Sequence, residues 1–339
     1  MSIRYVLMLA TGVVSVGPAA CAQLTGLADL EIEAASSSTS GPGGTTSTSQ
    51  GPGGGPGGGG PGGGGQGGSA GGACGDGLED GGVVVRYFIN ASDGAAGSVP
   101  EKVPDAVTPA LDLDVAPGSP DPRREGVFPH GGLAWSQPPN GDGRALAAIG
   151  SGKVFGQLNG KQALTVELVL RAQGFSAAVA HPSRLFGLHA SDAVNRIDRF
   201  SLVAGGSIPS GRLGAYWNQQ TPSEEDDRAG QWAVDLSTRQ VVHLVVETSA
   251  PEVERVRLYV NGSHVPGEAG VAGVTPPSAN EPLSLQASDA LVLGNAFVGG
   301  ASFQGVLHYA AVYDEALDEP RLAAHACALL ASDDAPPEG

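Results

Sequence analysis

Between about residue 82 and residue 330 the chain alternates short apolar runs with clusters of Gly, Pro, Asn and Asp. Short β-branched or alternating runs bounded by turn residues are typical of strands in all-β proteins. The clearest runs predict strands at Val83–Ile89, Leu164–Arg171, Val241–Thr248, Arg255–Val260, Ala290–Gly294 and Phe303–Tyr313. We therefore expect one all-β domain, since sandwiches of about 250 residues are common.

Local signals add a turn and a helix to these strands. The pair Asn261-Gly262 predicts a tight hairpin turn, because both residues tolerate the positive φ that a type I′ turn requires. Residues Glu315–Leu330 predict a closing helix, with Pro320 suited to its first turn. Three apolar residues share one face of that helix: Leu322, Ala326 and Leu329.

Two stretches near the end of the chain resemble a known family. They read VVHLVVETSAPEVERVRLYVNGSHV and LVLGNAFVGGASFQGVLHYAAVYDEALDEPRLAAHA, and they are similar to the second half of laminin-G-like, concanavalin A-like jelly-roll domains. The earlier segments LTVELVLRA and LDLDVAPG resemble strands of the same family. The resemblance covers roughly residues 83–330 and is weak between 172 and 240. It implies a jelly-roll β-sandwich of two antiparallel sheets with a short C-terminal helix.

The N-terminus carries the pattern of an export signal. Residues 1–20 contain one charge, Arg4, and then about a dozen apolar residues, too few to span a bilayer of roughly 30 Å. The stretch Pro18-Ala-Ala-Cys21 resembles a bacterial lipobox, although Pro18 stands where an aliphatic residue is usual. We expect lipidation at Cys21 and a membrane-anchored lipoprotein of the outer membrane or cell surface. Ordinary cleavage after Ala22, which gives a secreted or periplasmic protein, is the alternative.

A low-complexity segment separates this signal from the folded part. Residues 35–73 are almost entirely Gly, Pro, Ser, Thr and Gln and predict a disordered linker with a span of about 35 Å. The predicted order is a signal peptide at 1–20, a mature N-terminus at 21–34, the linker, the jelly-roll domain at 74–332 and an acidic tail at 333–339. If Cys21 is lipidated, Cys74 and Cys327 remain as an even pair, which usually forms a disulfide in an exported protein. Two free thiols are the alternative.

Charge and carboxylate spacing limit the function classes. The formal net charge of −17 excludes a nucleic-acid binder that works by neutralising phosphates. Glucan-cutting relatives carry Glu-x-Asp-x-x-Glu, in which two carboxylates about 5 Å apart act as nucleophile and acid. Here Glu224 and Asp226 fit, but Ala229 replaces the second Glu, so we expect a solvated acidic loop and no enzyme. We expect His243 to pack at the sheet and not to catalyse.

Binding candidates are carboxylates and aromatic rings. Laminin-G-like relatives often hold Ca²⁺ with loop carboxylates, which makes three aspartates candidate ligands: Asp93, Asp112 and Asp114. The alternative for Asp112 and Asp114 is the wet face of a strand, since they alternate with leucines. Three rings near the acidic loop are candidates for gripping a ligand: Tyr216, Trp217 and Trp232. Core packing of all three is the favoured alternative.

These features predict a tethered, non-catalytic recognition module that binds a carbohydrate or an extracellular protein. A structural or adhesion component of the cell envelope is the first alternative. A glycoside hydrolase is the second, less favoured because the paired carboxylates are incomplete.

Overall fold

The structure is a computed structural model that describes residues 77–116, 118, 121–135, 141–176, 182–190, 197–206, 208, 210–219 and 228–335. The predicted lipidation site Cys21, the linker and the acidic loop with Glu224 and Asp226 lie outside the described residues and stay predictions. Cys74 also lies outside them, so its disulfide with Cys327 stays a prediction. No helix in the described part is long and apolar enough to cross a membrane.

The described residues form sixteen strands and two α-helices, together with two short 3-10 helices. The strands are β1 (Val83–Phe88), β2 (Lys102–Val103), β3 (Leu113–Ala116), β4 (Arg123–Val127), β5 (His130–Trp135), β6 (Arg144–Ala148), β7 (Ala163–Gly174), β8 (Ser183–His189), β9 (Asp198–Ala204), β10 (Arg212–Trp217), β11 (Arg228–Ala233), β12 (Gln240–Glu247), β13 (Val256–Val260), β14 (Ser263–Val265), β15 (Ala290–Leu293) and β16 (Gln304–Tyr313). The α-helices are α1 (Lys153–Leu158) and α2 (Glu319–Ala331).

Two antiparallel sheets pack face to face. The first sheet has the order β14-β13-β12-β7-β16-β5-β4, and β1 also pairs with β16. The second sheet has the order β11-β10-β9-β8-β15-β6-β3-β2. Neighbouring strands in this order are often distant in sequence, as in a jelly roll. The predicted all-β sandwich with a C-terminal helix is therefore confirmed.

Side chains that alternate along β7 show what packs against each face of the first sheet. Leu164, Val166 and Leu168 point into the main core between the sheets. Val169 belongs instead to a second apolar cluster on the other face, under α2. The predicted helical face fits this arrangement, because Leu322, Ala326 and Leu329 are all buried in the second cluster. The helix begins at a capping residue, Asp318, whose carboxylate accepts from the Arg321 N–H at 3.0 Å.

The Asn261-Gly262 turn forms where the sequence predicts it. Both residues have positive φ, 51° and 77°, and they join Val260 to Ser263 in the β13–β14 hairpin. A Cβ on Gly262 would lie 2.9 Å from the α2 backbone at Ala323. The glycine therefore serves both the turn and the close approach of the helix.

The end of the domain differs from the predicted boundary at 332. Asp333 and Asp334, assigned from sequence to an acidic tail, are buried. Asp333 pairs with Arg239 at 2.6 Å, and Asp334 accepts from the Gly131 N–H at 2.8 Å. The described domain thus continues to Ala335, because these two carboxylates have partners on the sandwich.

Candidate functional site

The three aromatic residues predicted as ligand contacts are part of the core. Tyr216, Trp217 and Trp232 are 0%, 6% and 2% exposed. Trp217 packs edge-on against Phe200, with ring centroids 6.1 Å apart. This is the core-packing alternative that the sequence favoured. None of the three therefore presents an open ring face on which a sugar could stack.

Two adjacent cavities nevertheless border these rings. One, of about 270 Å³, is lined by Trp232 and by residues 267–271. The other, of about 170 Å³, is lined by Trp217, Gln219 and residues 275–278, and we call it the Trp217 cavity. Both cavities share the lining residues Ala229 and Pro276. The segment that the sequence singled out thus lies beside open space, although its rings are packed.

The three candidate calcium ligands engage different partners. Asp93 lies 3.9 Å from Arg124, and Asp114 lies 3.7 Å from Lys102. Asp112 accepts from the Asp105 N–H at 3.1 Å. Within the described ranges, no group of three or more His, Cys, Asp or Glu residues is arranged to hold a metal ion. Calcium binding by these aspartates stays a prediction of the sequence.

His243 is buried, as the sequence predicts, and it contacts a carboxylate that sequence reasoning missed. Glu167 of β7 is fully buried beneath α2, and its Oε1 lies 2.7 Å from His243 Nε2 and 3.2 Å from His325 Nδ1. Glu167 Oε2 accepts from the hydroxyls of Tyr309 and Tyr313 at 3.1 and 3.0 Å. Burial alone would raise the pKa of Glu167, but the hydrogen bonds and charges of the two histidines lower that pKa well below its usual range.

A second buried carboxylate lies on the second sheet. Asp198 is fully buried and pairs with Arg184 at 3.0 Å and with His189, and it accepts from the Ser201 hydroxyl at 3.1 Å. Burial raises the pKa of Asp198, but the charges of Arg184 and His189 outweigh it and lower that pKa well below its usual range. Both carboxylates are therefore held ionised inside the fold.

Among the described residues, an exposed aromatic ring belongs to Phe128, which no sequence pattern marked as a site. Phe128 is 65% exposed and lies at the tip of the β4–β5 hairpin, where Val127 pairs with His130. Phe128 borders a cavity of about 600 Å³, which we call the Phe128 cavity. Its lining residues are Gly77, Leu78, Asp80, Arg86, Phe88, Phe128, Ala328, Ser332, Asp334 and Ala335.

The hairpin tip that carries Phe128 is fixed by the end of the chain. The carbonyl oxygen of Pro129 accepts from the backbone N–H groups of Asp333 and Asp334 at 3.2 and 3.4 Å. Asp334 then accepts from the Gly131 N–H on the other side of the tip. Phe128 is therefore an exposed ring on an anchored turn.

Polar groups line the Phe128 cavity together with the apolar rings of Phe128 and Phe88. Arg86 donates to Asp80 Oδ1 at 2.5 Å and to the Glu79 carbonyl at 2.7 Å. Only Oδ1 of Asp80 takes part in this pair, and the Asp80 side chain is 85% exposed, so its carboxylate presents further acceptor positions to the cavity. The cavity combines an aromatic face with a solvent-facing carboxylate.

A further groove is less suited to a specific ligand. It measures about 800 Å³ and is lined by residues 172–176, 205, 206, 208, 210, 211 and 233–237. Its one aromatic residue, Phe175, is half-buried. None of its described side chains carries a buried polar atom without a partner. We therefore assign no site to this groove.

Two packed antiparallel sheets with a helix over one outer face define the class of jelly-roll β-sandwiches. Residues 140–323 match the model of a family described as the concanavalin A-like lectin/glucanases superfamily, Laminin_G_3. This match covers more than half of the chain, and the chain belongs to this family. The resemblance seen in the sequence is thereby confirmed. No curated protein sequence matches the chain.

Solved structures of low similarity include sugar-related proteins. A Trypanosoma rangeli sialidase in complex with the inhibitor DANA is 15% identical with a TM-score of 0.45, over 75% of this chain and 34% of that chain. The CBM40 of a Ruminococcus gnavus IT-sialidase, bound to α2,3 sialyllactose, is 16% identical with a TM-score of 0.41, over 57% and 95%. The binding domain of botulinum neurotoxin DC in complex with SialylT is 11% identical with a TM-score of 0.43, over 71% and 50%. The chain spans about a third of the length of the sialidases, and similarity at this level transfers neither ligand nor activity.

Proposed function

We propose that this protein is a non-catalytic recognition module that binds a carbohydrate in the Phe128 cavity. The observation that carries the proposal is the exposed ring of Phe128 at the edge of a cavity of about 600 Å³. A volume of this order lies within the usual range for small-molecule sites, about 300–1,000 Å³. Membership of a lectin and glucanase superfamily supports a carbohydrate as the ligand class.

The chemistry of the cavity suits a sugar. One face of a pyranose ring carries several C–H groups and packs on an aromatic ring, while its hydroxyls need hydrogen-bond partners. Phe128 supplies the ring, and the exposed carboxylate of Asp80 supplies acceptors for hydroxyl donors. Arg86 holds Asp80 in place through the 2.5 Å ion pair. The anchored turn keeps Phe128 oriented before binding, which lowers the entropy lost on association.

We also propose that the protein is not an enzyme. The burial and the pKa values of two carboxylates support this part of the proposal. A general acid needs a pKa raised toward the working pH. Neighbouring histidines lower the pKa of Glu167, chiefly through hydrogen bonds, and the charges of Arg184 and His189 lower the pKa of Asp198; both carboxylates are fully buried, so neither suits this role. A purified protein that hydrolyses polysaccharides, with loss of turnover on changing Glu224 or Asp226, would contradict this part.

Attachment to the cell envelope through Cys21 and the linker completes the proposal. It rests on the lipobox resemblance and on the composition of residues 35–73. Metabolic labelling with a fatty-acid analogue should modify the wild-type chain and not the Cys21→Ser variant. Labelling of neither chain would favour cleavage after Ala22.

A glycan array probed with the mature wild-type chain tests the binding function. We expect signals on a restricted set of glycans, lost in Phe128→Ala and retained in Phe128→Tyr, which keeps the ring. Val127→Ala is the matched control, because Val127 is 78% exposed on the same hairpin but does not line the cavity. Array signals that persist in Phe128→Ala would place the sugar elsewhere. A wild-type chain that binds no glycan but recovers a protein from membranes would favour the adhesion alternative.

A further inference from the structure

We propose that the Phe128 cavity selects sugars that carry a protonated amine, such as glucosamine units, over neutral and acidic sugars. This inference rests on the proposed function, because it names the class of carbohydrate that the same cavity binds. Three features of the lining carry it: the balance of its charges, the contacts of its guanidinium group, and its aromatic rings.

The charged residues that line the cavity leave an excess of negative charge. Asp80 and Asp334 are the carboxylates, and Arg86 is the one cationic side chain among the described lining residues. Asp80 and Arg86 form an ion pair, so the charge of Asp334 is left over. The Asp334 oxygens accept from the N–H groups of Gly131 and Ala91 at 2.8 and 3.1 Å, and this carboxylate has no cationic partner within the described ranges. A ligand that brings one positive charge therefore makes the lining neutral.

Arg86 cannot offer its charge to an acidic sugar. Its side chain is 8% exposed, and its Nε is closed to solvent. Nη1 donates to Asp80 at 2.5 Å, while Nη2 donates to the Glu79 carbonyl at 2.7 Å and to the Tyr313 hydroxyl at 3.3 Å. The carboxylate of a uronic acid would therefore meet Asp80 and Asp334 without a free cation to offset the repulsion.

The Asp80 carboxylate is the group that meets the amine. Its side chain is 85% exposed and Arg86 takes only Oδ1, so Oδ2 remains as an acceptor. An ammonium group carries three N–H donors, and its charge-assisted hydrogen bonds to a carboxylate are stronger than those of a neutral donor. An N-acetyl group has one amide donor and no charge, so it gains less at this position.

Two aromatic rings line the same cavity. Phe128 is 65% exposed, and the half-buried Phe88 packs edge-on against Tyr309 with ring centroids 5.3 Å apart. The face of an aromatic ring carries negative potential and attracts a cation within about 6 Å of its centre. The rings therefore add to the preference for an amine that the carboxylates create.

Four methyl β-glycosides that each differ from glucose in at most one substituent test this preference on the mature wild-type chain. They are those of glucosamine, N-acetylglucosamine, glucose and glucuronic acid, and ¹H–¹⁵N spectra follow the backbone amides of Phe128 and Asp80 during each titration. At about pH 6 the amine is protonated. We expect a Kd for the glucosamine probe that is at least about threefold lower than the other three. This ratio should shrink in about 0.5 M NaCl, because salt screens charges at an exposed site.

The variant Asp80→Asn tests which carboxylate meets the amine. Asparagine keeps an acceptor for Arg86 but removes the charge, so the preference for glucosamine over glucose should fall roughly 1.5- to 5-fold, as for an exposed ion pair. Glu79→Gln is the matched control, because it removes the same charge one residue away, where Glu79 pairs with Arg321 and does not line the cavity. Its preference should equal that of the wild-type chain. Circular dichroism checks that both variants are folded.

The possible outcomes separate this inference from the proposed function. A glucose or N-acetylglucosamine probe that moves the Phe128 amide with a Kd equal to or below that of the glucosamine probe would overturn the inference and leave carbohydrate binding in the cavity intact. A glucosamine probe that moves neither amide, or a preference unchanged in Asp80→Asn, would also overturn it. Glycan-array signals that persist in Phe128→Ala contradict the proposed function itself.

Discussion

The substitution Glu167→Gln tests how α2 is joined to the first sheet. Glu167 accepts four contacts between 2.7 and 3.2 Å from side chains of β12, β16 and α2. Glutamine keeps one acceptor oxygen and replaces the other with two N–H donors. These donors would face side chains that already donate, so at most part of the network survives the change.

The expected loss of stability is large. Removing the charged partner of a buried ion pair costs about 3–5 kcal/mol, because the remaining groups stay buried without compensation. For a domain of this size each kcal/mol moves Tm by about 2–4 °C, so we expect a fall of roughly 6–20 °C. The apolar cluster under α2, which includes Leu322 and Leu329, should keep the helix in place below that temperature.

Urea denaturation followed by circular dichroism measures this loss, provided that the slope m is unchanged between the variants. Glu247→Gln is the matched control on β12, because Glu247 pairs with Arg257 at 2.8 Å while partly exposed. That surface pair should contribute no more than about 1 kcal/mol. A Glu167→Gln variant as stable as the Glu247→Gln control would refute our account of the network.

The same network predicts a pH dependence with a definite sign. The pKa of Glu167 in the folded state lies below its ordinary value of 4.5. Its stabilising contribution is therefore fully present above about pH 5 and is lost progressively as the pH falls below the ordinary value. Stability should fall less steeply below pH 4.5 in Glu167→Gln than in the wild-type chain. Parallel profiles for the two proteins would contradict the assignment of this titration to Glu167.

Three further predictions concern other parts of the fold. In Gly187→Ala the new Cβ would lie 2.0 Å from His189 Nε2, so we expect a loss of about 1–3 kcal/mol in thermal unfolding, and an unchanged Tm would show that the histidine moves aside freely. A Cys74–Cys327 disulfide predicts no free thiol from this pair in the denatured, unreduced protein, and two free thiols would exclude the bond. Calcium binding by the three candidate aspartates predicts a rise in Tm with CaCl₂ that EDTA reverses, and an unchanged Tm would exclude it.

The alternation of residue types along the chain predicted the strands whose two faces carry different side chains. Alternation along Leu164–Arg171 marks one face toward the main core, and the structure confirms that strand as β7. The segment from 172 to 240 gave a weaker signal because its buried strands carry polar and charged residues that interrupt the apolar pattern. In β8 every residue from Ser183 to His189 is buried, including Arg184. The partner that makes this burial possible, Asp198, is fourteen positions away in sequence, and no local pattern predicts that pairing.

The candidate site was less predictable for a related reason. Sequence reasoning named Trp217 and Trp232 as candidate ligand contacts but favoured core packing for both, and their burial agrees with that alternative. Phe128 is exposed because the turn around it projects beyond the sheet and is tied to Asp333 and Asp334, about two hundred residues later. The exposure of this ring is a property of tertiary packing.

The most direct test of the central claim is an isothermal titration of one array-positive glycan into the wild-type chain, Phe128→Ala and Val127→Ala. We predict a Kd at least about tenfold higher for Phe128→Ala, which is about 1.4 kcal/mol, with equal Kd values for the wild-type chain and Val127→Ala. All three proteins should have similar Tm values, because both side chains are mostly exposed. Equal Kd values for Phe128→Ala and the wild-type chain would contradict carbohydrate binding in the Phe128 cavity.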